Sequence, residues 1–523
     1  MDFDIAVVGA GFAGSLTALL LRRLGKSVLL IDRGSHPRFA IGESSTPSSN
    51  LLLRALGLRY DLPELVALSR YGSWKRTFPD LPVGLKRGFS YFAHTAGCDF
   101  TSSIDHDHEL LVAASSCDEL SDTNWLRADF DHWLVRRAIE EGVEYLAETS
   151  VQRVDRAEGW QLELQSRGEA RSGIGFQPVI SSPENLETRQ AGSLSHKNSP
   201  LRVGFVVEAG VLDFARHLGV TSTDSGFLTN SRSVFAHWAD LPRWDALLPA
   251  LGIPQSDYPF PADDGALHQL FDAGWMWQLR FDHGVTSSGF VVNQQVAPPP
   301  CPTPQAEWLH WLKRLPSVAH QFQGARVVAP ESGLVSTQRL QRRASRLAGE
   351  GWVALPNAAG FVDPLFSPGN AHVLAGIERV VRAFERSTGE PNPALLADHV
   401  RHTQAELAWI DELIAGCYQV LPNLDAFAAM SAHYFAAAVA YERYRQTLGA
   451  DDVPRPFLLA DELALREAAR IARDEARTHL PHQPTAFVDS VRARLAPWNQ
   501  IGLLDPSSAA PARRNMLHRT ALE

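Results

Sequence analysis

Two hydrophobic periods alternate along the chain. Phe3-Asp4-Ile5-Ala6-Val7-Val8 is a short apolar run, rich in β-branched residues, that predicts a buried parallel strand. It runs into Gly9-Ala10-Gly11-Phe12-Ala13-Gly14. Apolar residues then recur at helical spacing from Ser15 to Leu24, and Gly25 ends the pattern. Ser27 to Ile31 predicts a second strand, which ends in Asp32. Strand, glycine turn, helix, strand and acid follow in the order of a dinucleotide-binding unit. Gly9 permits the tight turn, Gly11 lets the backbone approach a pyrophosphate, and Gly14 lets the helix pack on the strand. Amides of the first helical turn, at Phe12 and Ala13, hold the phosphates. Asp32 is placed to accept hydrogen bonds from ribose hydroxyls.

Further along, the polar loop Gly42-Glu43-Ser44-Ser45-Thr46-Pro47 precedes a helix from Ser48 to Leu56, and Trp125 to Glu141 reads as an amphipathic helix. Strands are expected at Trp160 to Gln165 and Val203 to Val207. Residues 166–200 between them, rich in Ser, Gly, Asn and Pro, read as a flexible insertion. Ala297 to Pro304 is a stiff connector. A strand over Trp352 to Pro356 leads through Asn357 to Gly369 into a helix from Asn370 to about Glu385. Ser367 is the expected N-cap and Pro368 fits the first helical position. Helices follow at Ala394–Val420, Leu424–Leu448 and Pro456–Ala476, with a frayed tail after Pro506.

Composition narrows the class. The chain has 523 residues, with 13 Trp and 25 Phe, enough for a large core. Lys and Arg total 49 against 59 Asp and Glu, a formal charge of -10 that argues against a general nucleic-acid binder. The four Cys show no CxxC pair, so neither a disulfide framework nor a zinc site is suggested. Asp105-His106-Asp107-His108-Glu109 resembles a ligand run but reads as a solvated loop, and no metal is expected. No run reaches about 18 apolar residues, and the start lacks the basic region of a signal peptide. These features predict a cytoplasmic protein with no membrane span and no nucleic-acid partner.

Four stretches carry a family resemblance: GAGFAG from Gly9, GESSTP from Gly42, AGWMWQLRF from Ala273, and GFVDPLFSPG from Gly360. A fifth, Phe205 to Gly210, resembles the middle strand of the same flavoproteins. By these motifs the chain resembles the flavin-dependent halogenases (tryptophan halogenase-like), within the FAD-dependent hydroxylase-type oxidoreductases. The resemblance implies an α/β fold: a Rossmann-like FAD domain of hydroxylase/glutathione-reductase type, an inserted substrate sheet and a helical C-terminal region. The expected division is 1–60, 126–235 and 345–390 for FAD, 61–125 and 236–344 for substrate, and 391–523 helical. FAD is the implied cofactor, touched by Arg33, Glu43, Ser44, Arg127, Asp363, Gly369 and Asn370 in addition to the N-terminal turn. From its own helix, Arg127 reads first as exposed charge on a helix face, with contact to FAD as the alternative.

The family marker W-x-W-x-I-P appears as Trp275-Met276-Trp277-Gln278-Leu279-Arg280, with arginine for proline. Trp275, Trp277 and Phe366 are expected along a tunnel between flavin and substrate. A packed strand face is the alternative for the two tryptophans. The resemblance implies a flavin hydroperoxide whose distal oxygen is taken by halide. The hypohalous acid then reaches a lysine, here Lys86 with Lys75 as the alternative. A separate flavin reductase is implied as electron donor. Halide would be held by amides of Ser367-Pro368-Gly369, where Pro368 has no N–H to give. The small-molecule substrate is then an electron-rich aromatic or pyrrolic compound. Aromatic monooxygenation and flavin binding without turnover are the alternative functions. His94 and His268 are noted as polar groups that face substrate or make structural hydrogen bonds, and Phe427, Met430, Tyr434, Phe435, Val439 and Tyr441 as chamber wall or core.

Overall fold

A computed structural model of the chain describes residues 1–166, 200–387, 389–478 and 484–504, with the backbone of 515–517. The insertion read over 166–200 lies outside the described residues except for its two ends, and so does most of the tail past Pro506.

The strand Phe3–Val8 is apolar because it is buried on both faces. It pairs in parallel with Leu201–Glu208 on one side and Val28–Ile31 on the other, with Val7 opposite both Val207 and Leu30. Trp352–Ala354 extends the sheet beyond Leu201–Glu208, and Glu144–Leu146 extends it beyond Val28–Ile31. The hairpin Thr149–Ala157 and Gly159–Ser166 joins it antiparallel. Helices Phe12–Arg23, Arg127–Glu140 and Pro368–Phe384 pack together against this sheet. This sheet is thus assembled from segments hundreds of residues apart.

A second sheet runs in the order Arg326–Ala329, Ser231–Ala239, Thr286–Asn293, Gly274–Arg280, Ala266–Phe271, Gly88–Ala93, Glu109–Ala113. Its pairings are antiparallel except for two, Ala266–Phe271 on Gly88–Ala93 and the short strand Asn515–Leu517 on Glu109–Ala113. The strand Ser231–Ala239, which the expected boundary at 235 cuts, lies whole in this sheet. Side chains alternate between two cores. Met276 and Phe290 enter a cluster with Trp244, Trp308 and Trp311, whereas Trp275, Trp277 and Val291 face the main core.

The C-terminal helices Pro393–Val420 and Leu424–Gln446 start at Asn392 and Asn423, whose side chains accept from the free amides of the first turn. Leu424–Gln446 is buried on nearly all sides, which explains its lack of a polar face. The third expected helix starts later, at Leu463 rather than Pro456. Leu458 and Leu459 adopt left-handed backbone (φ 56° and 50°), which breaks the run after a single 3-10 turn.

Candidate active site

One large cavity, with about 1470 Å3 of empty space, lies where the two sheets and the C-terminal helices meet. Two helix N-termini open into it: Phe12–Arg23 through Gly11, Phe12 and Ala13, and Pro368–Phe384 through Ser367, Pro368, Gly369 and Asn370. Neither start is capped by a side chain. Unpaired amides and the positive ends of two helices therefore face the same space, a fit for a diphosphate and for an electron-rich ring edge. Glycine is required at two turn positions that lie behind the cavity. A Cβ on Gly14 would sit 1.7 Å from Gly9 O, and one on Gly9 would meet the Gly210 backbone at 2.8 Å. At Gly11 the nearest protein atom to such a Cβ is 3.6 Å away, so that space is left open by the protein itself.

The loop Gly42–Pro47 lies along the strand Asp122–Trp125: Ser45 N–H donates to Thr123 O at 2.9 Å and Trp125 N–H to Glu43 O at 2.7 Å. Glu43 and Ser44 line the cavity, and the buried Glu43 carboxylate meets His237 Nε2 at 2.6 Å. Asn370 Nδ2 donates to Ser44 O at 3.1 Å, joining this loop to the second helix start. Arg127 is buried, not exposed. It makes a two-point ion pair with Asp131 at 2.8 Å, donates to Ile41 O and Gly42 O, and keeps its guanidinium over the Phe12 ring at the cavity wall. The helix start and this cation suit a bound pyrophosphate.

Asp363 is buried in the cavity wall. It accepts from Ser231 Oγ at 2.7 Å, Tyr418 OH at 2.9 Å and Leu365 N–H at 3.2 Å. Burial nevertheless raises its carboxyl to about 7. Trp275 Nε1 donates to Tyr418 OH at 2.9 Å, which ties the second sheet to the same network. Trp275 and Trp277 both line the cavity, with ring centroids 6.2 Å apart. Gly289 opposite Trp277 makes room for its indole: a Cβ there would lie 2.3 Å from the ring. His268 completes this wall, stacked on Tyr91 at 4.7 Å, and burial drives its imidazole down to about 3, so it is neutral.

Lys86 is fully buried. Its strand, Val83–Lys86, pairs with Asp122–Trp125 and sets Lys86 opposite Asp122. Nζ donates to Ser45 O and lies 4.0 Å above the Phe89 ring. Burial pulls the ammonium down to about 8, opposed by the Asp122 charge. Lys75, by contrast, is partly exposed and paired with Asp282 at 2.7 Å. Phe366 is buried and stacks on Tyr434 at 4.5 Å; it lies behind the cavity wall rather than in it, next to Ser367, which does line the cavity.

Several expectations are corrected. Ser367 is not a side-chain cap: it adopts left-handed backbone (φ 54°), and its own N–H donates to Pro364 O at 2.9 Å. With that amide engaged and Pro368 lacking one, Gly369 alone of the three has a backbone amide left for halide. Asp32 is already held by Ala10 N–H at 2.6 Å, Gly34 N–H at 2.8 Å and the Arg38 guanidinium at 3.0 Å. These contacts make it fix the glycine turn as well. Arg33 is exposed and outside the cavity lining; Arg38, not Arg33, is the cation at this end. Arg280 also stands outside the cavity, paired with Asp263 at 2.6 Å and donating to Leu241 O and Pro242 O. His94 is bound to Gln269 at 2.7 Å away from the cavity. The run Asp105 to Glu109 is not simply solvated: His106 is buried between Glu109 and Asp257. Among the described residues no group of His, Cys, Asp and Glu is arranged to hold a metal, and no helix is long and apolar enough to cross a membrane.

Ser231, Tyr418 and Gln341 were invisible to motif reading. Each acts on Asp363 or its neighbour Val362 from a different part of the chain, and no local pattern announces such a contact.

Comparison with known proteins places the chain among flavoproteins and halogenases by similarity. Residues 4–180 match the family model for FAD dependent oxidoreductases and residues 253–432 the model for tryptophan halogenases. The tetracycline 7-halogenase of Kitasatospora aureofaciens is 28% identical over 70% of this chain and 60% of its own length. The monodechloroaminopyrrolnitrin halogenase PrnC of Pseudomonas fluorescens is 26% identical over 81% of this chain and 70% of its own. The chain thus spans under two thirds of the first of these relatives. Among solved structures, halogenase PltM in complex with phloroglucinol and FAD superposes with a TM-score of 0.82 at 22% identity, covering 99% of this chain and 100% of that one. The flavin-dependent brominase Bmp2 gives 0.60 at 19% identity, over 91% and 99%. Matching models over two parts of the chain lead to one conclusion: the chain is a halogenase-like flavoprotein, similar to FAD dependent oxidoreductases over residues 4–180 and to tryptophan halogenases over residues 253–432.

Proposed function

We propose that the protein halogenates an electron-rich aromatic or pyrrolic compound, with FADH2 delivered by a separate flavin reductase. The observation that carries this reading is Lys86, a lysine without solvent exposure whose ammonium rests on Phe89 and on the carbonyl of the loop that lines the flavin cavity. A lysine held this way is poised near neutrality and is costly to keep unless it acts.

Reduced FAD, when bound, supplies the electrons for the oxygen chemistry that turns halide into an electrophilic hypohalous species. The protein's residues do the rest. Phe12, Ala13 and Arg127 hold the pyrophosphate, and Glu43, Asp363 and Asn370 fix the loops around the ring system. Trp275, Trp277 and His268 form a dry wall that keeps the oxidant from bulk water. An ammonium carries three donors, and Ser45 O takes one from Lys86; the others are free to hold the hypohalous oxygen and give it a proton as the halogen leaves. The sequence holds no second GxGxxG for a nicotinamide, which supports an external reductase.

The halide amides support a second reading. With Pro368 and Ser367 unable to donate, halide binding is weakened, and direct oxygen transfer to an arene is the competing reaction. Reduced FAD, oxygen and bromide or chloride, assayed with monochlorodimedone as a trap, separate the two. Halide-dependent loss of the trap above a free-FADH2 control supports halogenation. No such loss, with NAD(P)H consumption coupled to a hydroxylated product, selects the monooxygenase.

A further inference from the structure

Lys86 does not line the flavin cavity, so an oxidant made there has to leave it to reach the lysine. His268 is a wall residue that meets both sides. Its ring lines the cavity beside Trp275, with the two centroids 5.0 Å apart. It also stacks on Tyr91 at 4.7 Å and lies 6.1 Å from the Phe89 ring, on which the Lys86 ammonium rests at 4.0 Å.

The two ring nitrogens of His268 are not equivalent. Nδ1 lies 2.8 Å from Ala266 O, and a carbonyl only accepts, so Nδ1 carries the hydrogen. In a neutral ring Nε2 is then a bare lone pair. The surroundings keep the ring neutral. It is 2% exposed, and the charge that acts on it is the Lys86 ammonium, which disfavours a second cation beside it. Backbone groups of Ser90 and Leu365 favour the charged form, and burial outweighs them. Hypohalous acid has one hydrogen to give and oxygen lone pairs that accept. Lys86 has donors only, so it serves the oxygen and cannot serve the hydrogen. A bare Nε2 supplies the missing acceptor. Together the two side chains hold the H and the O of the acid and leave its halogen free.

We propose that His268 is a positioning residue whose Nε2 lone pair accepts the O–H of hypohalous acid and passes the oxidant from the flavin cavity to Lys86. The assignment rests on the halogenase reading above and adds a residue to it. As the oxygen–halogen bond breaks, the halogen goes to the arene carbon and the oxygen leaves as water with the proton that Lys86 gives. The arene carbon releases one proton in balance, and His268 stays neutral throughout.

A methionine at position 86 serves as a detector, because hypohalous acid turns a thioether into its sulfoxide and leaves halide and a proton. The Lys86→Met holoenzyme is turned over with a flavin reductase, NADH and bromide. Sulfoxide at position 86, read by peptide mass spectrometry, is divided by the loss of monochlorodimedone, which counts oxidant released to solvent. Adding His268→Phe keeps a ring on Tyr91 without an acceptor, and should lower this quotient about tenfold, the worth of one buried hydrogen bond. Adding His268→Gln instead puts an amide oxygen near the place of Nε2 and should restore most of it. An unchanged quotient in His268→Phe, or an equal fall in both variants, overturns the proposal. Trap loss without any sulfoxide at position 86 overturns it too. Should His268→Phe not fold, His268→Asn takes its place with the same expectation, since it keeps a donor near Nδ1 and has nothing at Nε2. Nitrogen NMR of apoprotein carrying isotope-labelled histidine should show Nε2 of His268 unprotonated at neutral pH, the signal being assigned by its loss in His268→Gln. A hydrogen on Nε2 refutes the assignment. Wild-type enzyme with no bromide-dependent trap loss sinks the halogenase reading, and this assignment falls with it. Trap loss with a quotient indifferent to His268 sinks the assignment alone.

Discussion

The Tyr418 hydroxyl donates to the Asp363 carboxylate at 2.9 Å. One partner stands on the long C-terminal helix and the other in the turn before the second cofactor helix, so this hydrogen bond locks the helical region onto the flavin cavity. Tyr418 also accepts the indole N–H of Trp275, so its removal leaves two buried groups short of a partner. Tyr418→Phe should cost about 1–3 kcal/mol in urea unfolding of the apoprotein. It should also weaken FAD, read by quenching of flavin fluorescence. A variant with unchanged stability would show that the Asp363 network is not what fastens the two parts.

The Asp363 carboxyl makes stability depend on pH. Burial raises it from 3.8 to about 7 in the folded chain. Between those values the unfolded state has lost the proton and the folded state keeps it, so stability falls as pH rises. The contribution is fully present below about 4 and lost through about 7, with a slope approaching about 1.4 kcal/mol per pH unit for this one group. Asp363→Asn removes the titration. Denaturation of the apoprotein at several pH values should therefore give a shallower decline for the variant over that window. A parallel pair of curves would refute it.

The buried pair of Arg379 and Glu406 acts with the opposite sign. Arg379 holds Glu406 at 2.7 and 2.8 Å, with His372 Nε2 at 3.1 Å, and Glu406 also accepts from Phe457 N–H. The arginine charge keeps this carboxyl well below the usual glutamate range despite burial. Its contribution is present above about pH 4.5 and lost as pH falls. Glu406→Gln leaves Arg379 buried without its counter-charge and should cost about 3–5 kcal/mol. The loss should show in thermal or chemical denaturation near neutrality and shrink toward acid pH.

Glycines in the first turn divide into those that the protein's own packing requires and one that it does not. A methyl at Gly14 collides with Gly9 O at 1.7 Å, so Gly14→Ala should disrupt the fold itself. At Gly11 the backbone is extended (φ -68°, ψ 179°) and no protein atom lies closer than 3.6 Å to a methyl. Gly11→Ala should therefore fold with apoprotein stability close to wild type and bind FAD at least tenfold more weakly. Undiminished FAD affinity in Gly11→Ala would mean that the pyrophosphate does not pass over this turn.

What could be read from the sequence was whatever is written locally. The first strand, glycine turn and helix follow from period and turn chemistry within a few residues of one another. So do the proline at the start of Pro368–Phe384 and the alternation that puts Trp275 and Trp277 on one face. Long-range partners were not legible. Arg127 looks like surface charge on its helix and becomes a cavity wall only because Asp131 and the carbonyls of Ile41 and Gly42 close around it. Ser367 has the chemistry of a cap but a backbone conformation in which it does not cap.

Lys86 links these observations to activity. Its burial lowers the ammonium to about 8, and the Asp122 carboxyl on the paired strand opposes that fall. If the ammonium form holds and protonates the hypohalous oxygen, kcat/KM for arene halogenation should be highest below about pH 8. It should decline as pH rises through that value. Asp122→Asn keeps the contact with Asn50, now 2.7 Å from Asp122 Oδ1, but removes the charge. The ammonium is then less favoured, so the declining limb should move to lower pH. Lys86→Met fills the same space on Phe89 without a donor, and should lose at least about a hundredfold in kcat/KM while still binding FAD. A profile whose limb stays put in Asp122→Asn would separate the observed titration from Lys86. Arene halogenation at the wild-type rate in Lys86→Met would remove the lysine from the chemistry.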